Sequence, residues 1–202
     1  MPEFFYADRL FNGLERGEPA PGMLLLAAPG MLSPEFARTV VLIVDHGLDS
    51  TLGVILNSRS EIAVHNAMPE WVDLVAAPQA MYRGGPVGAT SVVGIGVTSS
   101  GVLIDDQPVL TRLANRLAQV DLRAEPQEVA PAVDSMRLFL GYAEWAPGQL
   151  DEEIERGDWF IAPALPSDVV APAAADLWGD VMRRQAMPLP LYATFPANLD
   201  DN

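Results

Sequence analysis

The sequence contains no cysteine and no lysine, and each absence excludes a class of function. Without cysteine the chain cannot form a disulfide, present a thiolate nucleophile or bind a metal through sulfur. Without lysine it cannot carry the standard Gly-x-x-x-x-Gly-Lys phosphate-binding loop. All 12 basic residues are therefore arginine. A coding bias towards Arg, Ala, Pro and Gly explains this as well as any function does.

Positive charge is scarce as a whole, because 27 acidic residues face 12 basic ones and the formal net charge is −15. Nucleic-acid-binding proteins gain affinity when Lys or Arg displaces condensed counterions, and they usually present a basic face. Arg183–Arg184 is the one adjacent basic pair in the sequence, and neither half of the chain is basic. We therefore expect no direct nucleic-acid binding.

Long apolar runs are also missing. A bilayer-spanning helix needs about 20 apolar residues, whereas the runs at 23–28 and 40–44 are far shorter. The first six residues lack the basic start and the long apolar stretch of a signal peptide. We expect a cytoplasmic protein with no membrane segment. No repeat or change of composition divides the chain, which favours a single domain over residues 1–202.

Apolar strand-like runs alternate with short helical patterns along the chain. We predict strands at 23–28, 39–44, 51–57, 79–83, 91–97, 102–104, 135–142 and 158–162. We predict short helices at 33–37, 68–75, 111–117, 147–156 and 174–182. The strands at 39–44 and 51–57 are expected to pair as an antiparallel hairpin. We expect a long loop at 124–131 and an extended tail at about 188–202, where Tyr192 and Phe195 lie among three prolines.

Three stretches together resemble the YqgE/AlgH family, and they span residues 24–160 in the family's order. They are Leu24-Leu25-Leu26-Ala27-Ala28-Pro29 followed by Phe36, His46 and Gly53-Val54-Ile55-Leu56-Asn57; then Tyr82-Arg83-Gly84-Gly85-Pro86-Val87; then Leu140 to Glu153 with Trp159 beyond it. The resemblance implies a bacterial, cytoplasmic protein of the α+β class, with a mixed, largely antiparallel sheet partly closed into a barrel and flanked by short helices. Some members carry the label of transcriptional regulator. The family offers no catalytic mechanism to carry over.

Gly84-Gly85-Pro86 is the first candidate for a ligand site. Successive backbone N–H groups at glycines can converge into a nest that binds an anion. The alternative is a tight turn at the end of a strand. We favour it because Gly and Pro residues mark turns.

The stretch 141–150 is the second candidate. It would place Tyr142, Trp145 and Gln149 around the free N–H groups of a helix start. The alternative is a strand-to-helix corner with the two aromatic side chains in the core beneath it, which we favour because buried aromatics are common. Asn57, Gly84–Gly85 and Tyr142–Gln149 would share one pocket if these segments converge.

The two histidines, His46 and His65, have no spacing typical of a zinc site, and no Gly-x-Ser-x-Gly nucleophile elbow is present. The sequence thus predicts no metal, no cofactor and no catalytic constellation. Two hypotheses remain. The first is a non-enzymatic regulatory or protein-binding module whose acidic second half or Pro-aromatic tail contacts another protein. The second is a small-ligand-binding protein or an enzyme that uses the pocket just described. The sequence does not fix the oligomeric state.

Overall fold

A computed structural model of the protein describes residues 17–195. The strands of this part of the chain are Met23–Ala27 (β1), Val40–His46 (β2), Thr51–Ile55 (β3), Arg59–Ala63 (β4), Ala80–Arg83 (β5), Val87–Thr98 (β6), Leu110–Ala114 (β7), Leu117–Val120 (β8), Val133–Trp145 (β9) and Trp159–Pro163 (β10). The α-helices are Val64–Ala67 (α1), Pro126–Val129 (α2), Gln149–Glu155 (α3), Pro166–Val169 (α4), Leu177–Arg183 (α5) and Leu189–Tyr192 (α6). Pro69–Leu74 and Ile104–Asp106 are 3₁₀ helices.

The strands form one curled sheet in the order β10-β1-β2-β3-β9-β6-β8-β7. The long strand β9 joins its two halves, because β9 pairs antiparallel with β3 near its end and with β6 along most of its length. β4 pairs with β5, and β5 lies parallel to β9. The mixed, largely antiparallel sheet of an α+β protein, implied by the family resemblance, is confirmed. The predicted β2–β3 hairpin is also confirmed.

Alternate residues of the first strands enter two different cores. Leu24 and Leu26 join an inner cluster, whereas Leu25 and Ala27 join an outer one. Successive side chains of a strand point to opposite faces. Because both faces are covered, β1 is an unbroken apolar run in the sequence. A second outer cluster covers the β6–β8 end of the sheet and includes Trp71 of the first 3₁₀ helix.

Helix α5 packs on the inner cluster and confirms the helix predicted over 174–182. Trp178 is 1% exposed, and its indole N–H donates to the carbonyl oxygen of Ala27 at 2.9 Å. The side chain of Asp176 caps the helix by accepting the backbone N–H of Gly179 at 3.1 Å. The last helical segments therefore cover the inner face of the curled sheet.

The tail predicted to be extended contains the one-turn helix α6. The ring of Tyr192 stacks on Phe160 of β10 with centroids 5.6 Å apart, and Phe195 meets Tyr192 edge to face. Burial of Leu189 in the inner cluster holds this turn on the core. Residues 196–202 of the predicted tail lie outside the described residues.

The two ends of the sheet approach each other at Gly22, the residue before β1. A Cβ atom at this position would lie 2.2 Å from the carbonyl oxygen of Leu113 and 2.8 Å from the Cβ of Ala114, both in β7. Gly22 has a φ of +84°, which glycine adopts without steric cost. Because β1 lies beside the end strand β10, and β7 is the end strand on the other side, this contact partly closes the curled sheet into a barrel, as expected.

The helix predicted over 111–117 is wrong, because these residues form the β7–β8 hairpin. Apolar residues at 110, 113, 114 and 117 fit a helical period, but a short run of this kind also fits a strand. Arg116 has a φ of +59° and turns the chain after Asn115. Pairing of β8 with β6 then decides the conformation.

Other predicted elements also differ from the structure. The loop expected at 124–131 contains α2, where the side chain of Glu128 accepts the backbone N–H of Glu125 at 3.3 Å. Residues 102–104 lead into a 3₁₀ helix and are not a strand. Within residues 17–195, no helix combines the length and the apolarity that crossing a bilayer requires.

Candidate functional site

The second candidate stretch, 141–150, forms a corner between β9 and α3. β9 ends at Trp145 and α3 begins at Gln149. The Oε1 atom of Gln149 accepts the backbone N–H of Ala146 at 3.0 Å and ties the start of the helix to the end of the strand. The backbone of this stretch therefore forms a strand-to-helix corner, which is the structural alternative given above.

The carboxylate of Glu153 is the polar centre of this corner. Its Oε2 atom accepts the indole N–H groups of Trp145 at 2.9 Å and Trp159 at 2.8 Å. Its Oε1 atom accepts the side-chain N–H of Gln149 at 2.9 Å. Hydrogen bonds to an ionised acceptor are stronger than neutral ones. Three neutral donors therefore hold this negative charge in one orientation.

Aromatic rings form the wall of a groove beside Glu153. The ring of Phe36 lies 5.6 Å from Trp159 and 6.3 Å from Trp145, and the two indoles meet edge to face. The groove has a volume of about 520 Å³, and we call it the tryptophan groove. It is lined by Gly30, Met31, Leu32, Ser33, Phe36, Glu144, Trp145, Gln149, Glu153, Arg156, Asp158 and Trp159.

A smaller hollow of about 200 Å³ lies on the other side of the corner. It is lined by His46, Gly47, Leu48, Ser50, Thr51, Ala146, Pro147, Gly148, Leu150 and Asp151. Leu48 is 96% exposed here and Leu32 is 95% exposed at the tryptophan groove, the highest values among large apolar side chains of the described residues. We call the groove, the corner and the hollow together the corner surface.

The corner surface is acidic. Residues 144–158 contain six carboxylates and a single base, Arg156. The Nε atom of Arg156 donates to Asp158 at 3.0 Å. This hydrogen bond, with the nearby charges of Asp158, Glu153 and Glu152, raises the pKa of the guanidinium. The basic residue of the region is thus already engaged by a carboxylate.

Asn57, a predicted site residue, is engaged by the main chain. Its Oδ1 atom accepts the N–H of Val40 at 3.0 Å, and its Nδ2 atom donates to the carbonyl oxygen of Arg38 at 2.9 Å. Arg38 has a φ of +55°, so the Asn57 amide fixes an unusual turn that leads into β2. These two bonds account for an asparagine at this position.

Gly84 and Gly85 lie against the backbone of β9. A Cβ at Gly84 would be 2.2 Å from the carbonyl oxygen of Gly141, and one at Gly85 would be 2.1 Å from the carbonyl carbon of Tyr142. The Gly84 N–H donates to Leu140 at 2.7 Å. Close approach of two strands therefore explains both glycines.

Tyr142 and Trp145 point to opposite faces of the sheet, because they are an odd number of residues apart on one strand. Tyr142 packs against the inner cluster, whereas Trp145 belongs to the outer cluster. The structure therefore brings Trp145 and Gln149 together at the tryptophan groove. It does not place Tyr142 there.

Sequence reasoning did not single out Glu153, Trp159 and Phe36 as partners of Trp145. The one local signal is the spacing of Gln149 and Glu153, since residues four apart lie on the same side of a helix. Phe36 is far away in the sequence and reaches the groove only through the pairing of β10, β1 and β2. Among residues 17–195, no group of three or more His, Asp or Glu side chains is placed to hold a metal ion.

Arg137 of β9 is a buried cation outside the corner surface. It is 0% exposed, and its Nε atom donates to the carbonyl oxygen of Val169 at 2.8 Å. Its Nη2 atom donates to Ala171 at 3.2 Å, and the guanidinium lies 4.2 Å from the centroid of the Tyr82 ring. Burial lowers the pKa of this group. Its bonds join the central strand to α4 and the segment after it.

A third depression, of about 480 Å³, lies at the ends of β6 and β8 and includes Asp121 and Arg123. Side-chain and backbone hydrogen bonds from Arg123 lower the pKa of Asp121 from 3.8 to about 2. We expect Arg123→Met to raise the Asp121 pKa only part of the way back, because the backbone N–H at 3.0 Å remains. A carbon-13 NMR titration of the Asp121 carboxyl measures this. An unchanged pKa in the variant would contradict the assignment.

Comparisons of sequence place the chain among known proteins. A sequence model of a family described as AlgH-like matches residues 24–190. A UPF0301 protein of Corynebacterium efficiens is 60% identical over 98% of this chain and 98% of its own length. A UPF0301 protein of Mycobacterium tuberculosis is 47% identical over 90% of each chain.

Comparisons with solved structures agree. The crystal structure of a Corynebacterium diphtheriae protein covers 94% of this chain and 100% of its own, with 63% identity and a TM-score of 0.89. The solution structure of AlgH from Pseudomonas aeruginosa, with 23% identity and a TM-score of 0.62 over 90% of this chain and 97% of its own, shares the fold. The family match over most of the chain and the identity of these relatives show that this protein belongs to the AlgH-like, or UPF0301, family.

Proposed function

We propose that this protein is a non-enzymatic protein-binding module with a regulatory role, and that it docks its partner on the corner surface. The observation that supports this most is the exposure of Leu32 and Leu48, the two most exposed large apolar side chains described, which lie at opposite ends of β2 and border the two depressions beside the corner. Single exposed leucines are ordinary. Exposed apolar side chains at the edges of concave surface are typical of protein contact sites.

A shared small-ligand or catalytic pocket has less support. Such a pocket would need Asn57, Gly84–Gly85 and Tyr142–Gln149 to converge, and main-chain contacts already engage the first three. Tyr142 lies on the other face of the sheet from Trp145. The net charge of −15 also gives no support to direct DNA binding, so a regulatory role would act through protein contacts.

Substitution of both leucines by serine is expected to reduce capture of the partner from native extract. Fully burying one leucine contributes about 1.5 to 3 kcal/mol, so loss of both lowers the captured amount at least about tenfold. Leu103→Ser is the matched control, because Leu103 is 65% exposed and its neighbour Ile104 belongs to the cluster at the β6–β8 end of the sheet. Mass spectrometry identifies the partner, and titration with the purified partner tests direct binding. Equal capture by the double variant and the wild type would refute the proposal.

A further inference from the structure

We infer that the partner docks through a basic, amphipathic segment, and that an arginine of this segment enters the tryptophan groove against Glu153. This inference rests on the proposed function and specifies the chemistry of the partner. It combines two features of the corner surface. The first is its exposed leucines, and the second is its excess of negative charge.

Charge complementarity selects a basic occupant. The chain from 144 to 158 carries six carboxylates and one arginine, and that arginine is paired with Asp158. An acidic segment would be repelled by these carboxylates. Like charges placed opposite each other across an interface disfavour the wrong partner. A second copy of this chain would bring another net charge of −15 and is disfavoured for the same reason.

Glu153 offers a prepared acceptor for a guanidinium. The two indoles occupy Oε2, whereas Oε1 accepts one hydrogen bond from Gln149 within the described residues. A carboxylate oxygen has two lone pairs, so Oε1 retains acceptor capacity towards the groove. Because the indoles and Gln149 already fix the carboxylate, a ligand does not have to order it on binding.

Arginine suits this groove better than lysine does. Its planar guanidinium is weakly hydrated, donates several N–H bonds in one plane and packs against aromatic rings. The groove supplies ring surface from Phe36 beside the carboxylates of Glu153 and Glu144. An apolar residue of the same segment would cover Leu32, which lines the groove together with Glu153, and this accounts for an amphipathic rather than a purely basic segment.

The test uses the full-length protein and a defined probe, a synthetic peptide of about 12 residues with leucine and arginine at helical spacing. The matched control peptide carries neutral citrulline at every arginine position. The readout is the indole N–H signals in a nitrogen-15 spectrum. We expect the arginine peptide to shift the signals of Trp145 and Trp159 and not those of Trp71 and Trp178, which are buried in the other clusters.

We expect the citrulline peptide to bind at least about tenfold more weakly, since it loses the charge-assisted bonds. Raising the salt from 50 to 500 mM weakens the arginine peptide several-fold, because the screening length shortens. Glu144→Gln and Glu153→Gln each weaken the arginine peptide, whereas Glu70→Gln on the first 3₁₀ helix does not. Glu144 is exposed, so its variant keeps the fold even where loss of Glu153 disturbs the indoles.

Equal binding of the two peptides, or unmoved Trp145 and Trp159 signals, would overturn the basic-segment inference. The proposed function survives that result when partner capture still depends on Leu32 and Leu48. It fails separately when the double leucine variant captures the partner as well as the wild type does. A partner that binds on this surface through a neutral or acidic segment would also overturn the inference.

Discussion

Replacement of Gly22 by alanine is expected to lower the free energy of unfolding by about 3 to 4 kcal/mol. The left-handed backbone at this residue costs about 1 to 2 kcal/mol once a Cβ is present. The new methyl group would also lie 2.2 Å from the carbonyl oxygen of Leu113, so β7 must move away. Overpacking of this kind adds about 1 to 3 kcal/mol. Urea unfolding followed by circular dichroism measures the change.

Gly101→Ala is the control that separates the two causes. Gly101 has a φ of +85°, almost the same as that of Gly22, but no atom lies within 4 Å of its would-be Cβ. We expect it to lose only about 1 to 2 kcal/mol, the backbone contribution alone. If both variants lose the same amount, the contact between β7 and the start of β1 does not stabilise the fold.

This contact between the ends of the sheet could not be predicted from the sequence. Gly22 follows a proline, and a Pro-Gly pair predicts a turn wherever it occurs. The strands β2 and β3 were predictable, since 39–44 and 51–57 are bounded by turn residues and are rich in β-branched side chains. Their order in the sheet depends on contacts between distant segments, which no local pattern contains.

The candidate site was predictable only where its residues are close in sequence. Trp145 and Gln149 were found because they share one constrained stretch. The same stretch misled in one respect. A strand predicted to end at Tyr142 does not reach Trp145, so the prediction did not define the face of the sheet on which Trp145 lies. The actual β9 runs on to Trp145, and continued alternation then separates Tyr142 from the groove. Phe36 could be assigned to the site only from the folded sheet.

The corner surface and the core of the sheet each contain a charged side chain that is held by neutral groups. At the corner, Glu153 is a negative charge held by neutral donors at an accessible groove. In the core, Arg137 is a positive charge held by neutral carbonyl oxygens and an aromatic ring. Arg137 belongs to β9 and Glu153 lies beside the end of that strand, but only Glu153 faces a depression that a partner can enter.

Replacement of Arg137 by methionine is expected to destabilise the protein by about 3 kcal/mol. Methionine is apolar and unbranched, so it fills much of the same space. It leaves the carbonyl oxygens of Val169 and Ala171 without their arginine donor, at about 1 to 3 kcal/mol for each one that stays buried. It also removes the cation–π contact with Tyr82, worth about 2 kcal/mol when desolvated. Relief from burying a charge, several kcal/mol for an ion, offsets part of this loss.

Arg137→Lys separates anchoring from the cost of the charge. Lysine keeps the charge but cannot donate from the Nε position to Val169, so anchoring predicts destabilisation in both variants. If the buried charge were merely a burden, the methionine variant would be more stable than the wild type. Urea unfolding distinguishes the two cases. Hydrogen exchange adds a local test, because loss of the anchor is expected to speed exchange in α4 and the segment after it more than in β1. A methionine variant as stable and as well protected as the wild type would show that Arg137 does not fasten this segment to the sheet.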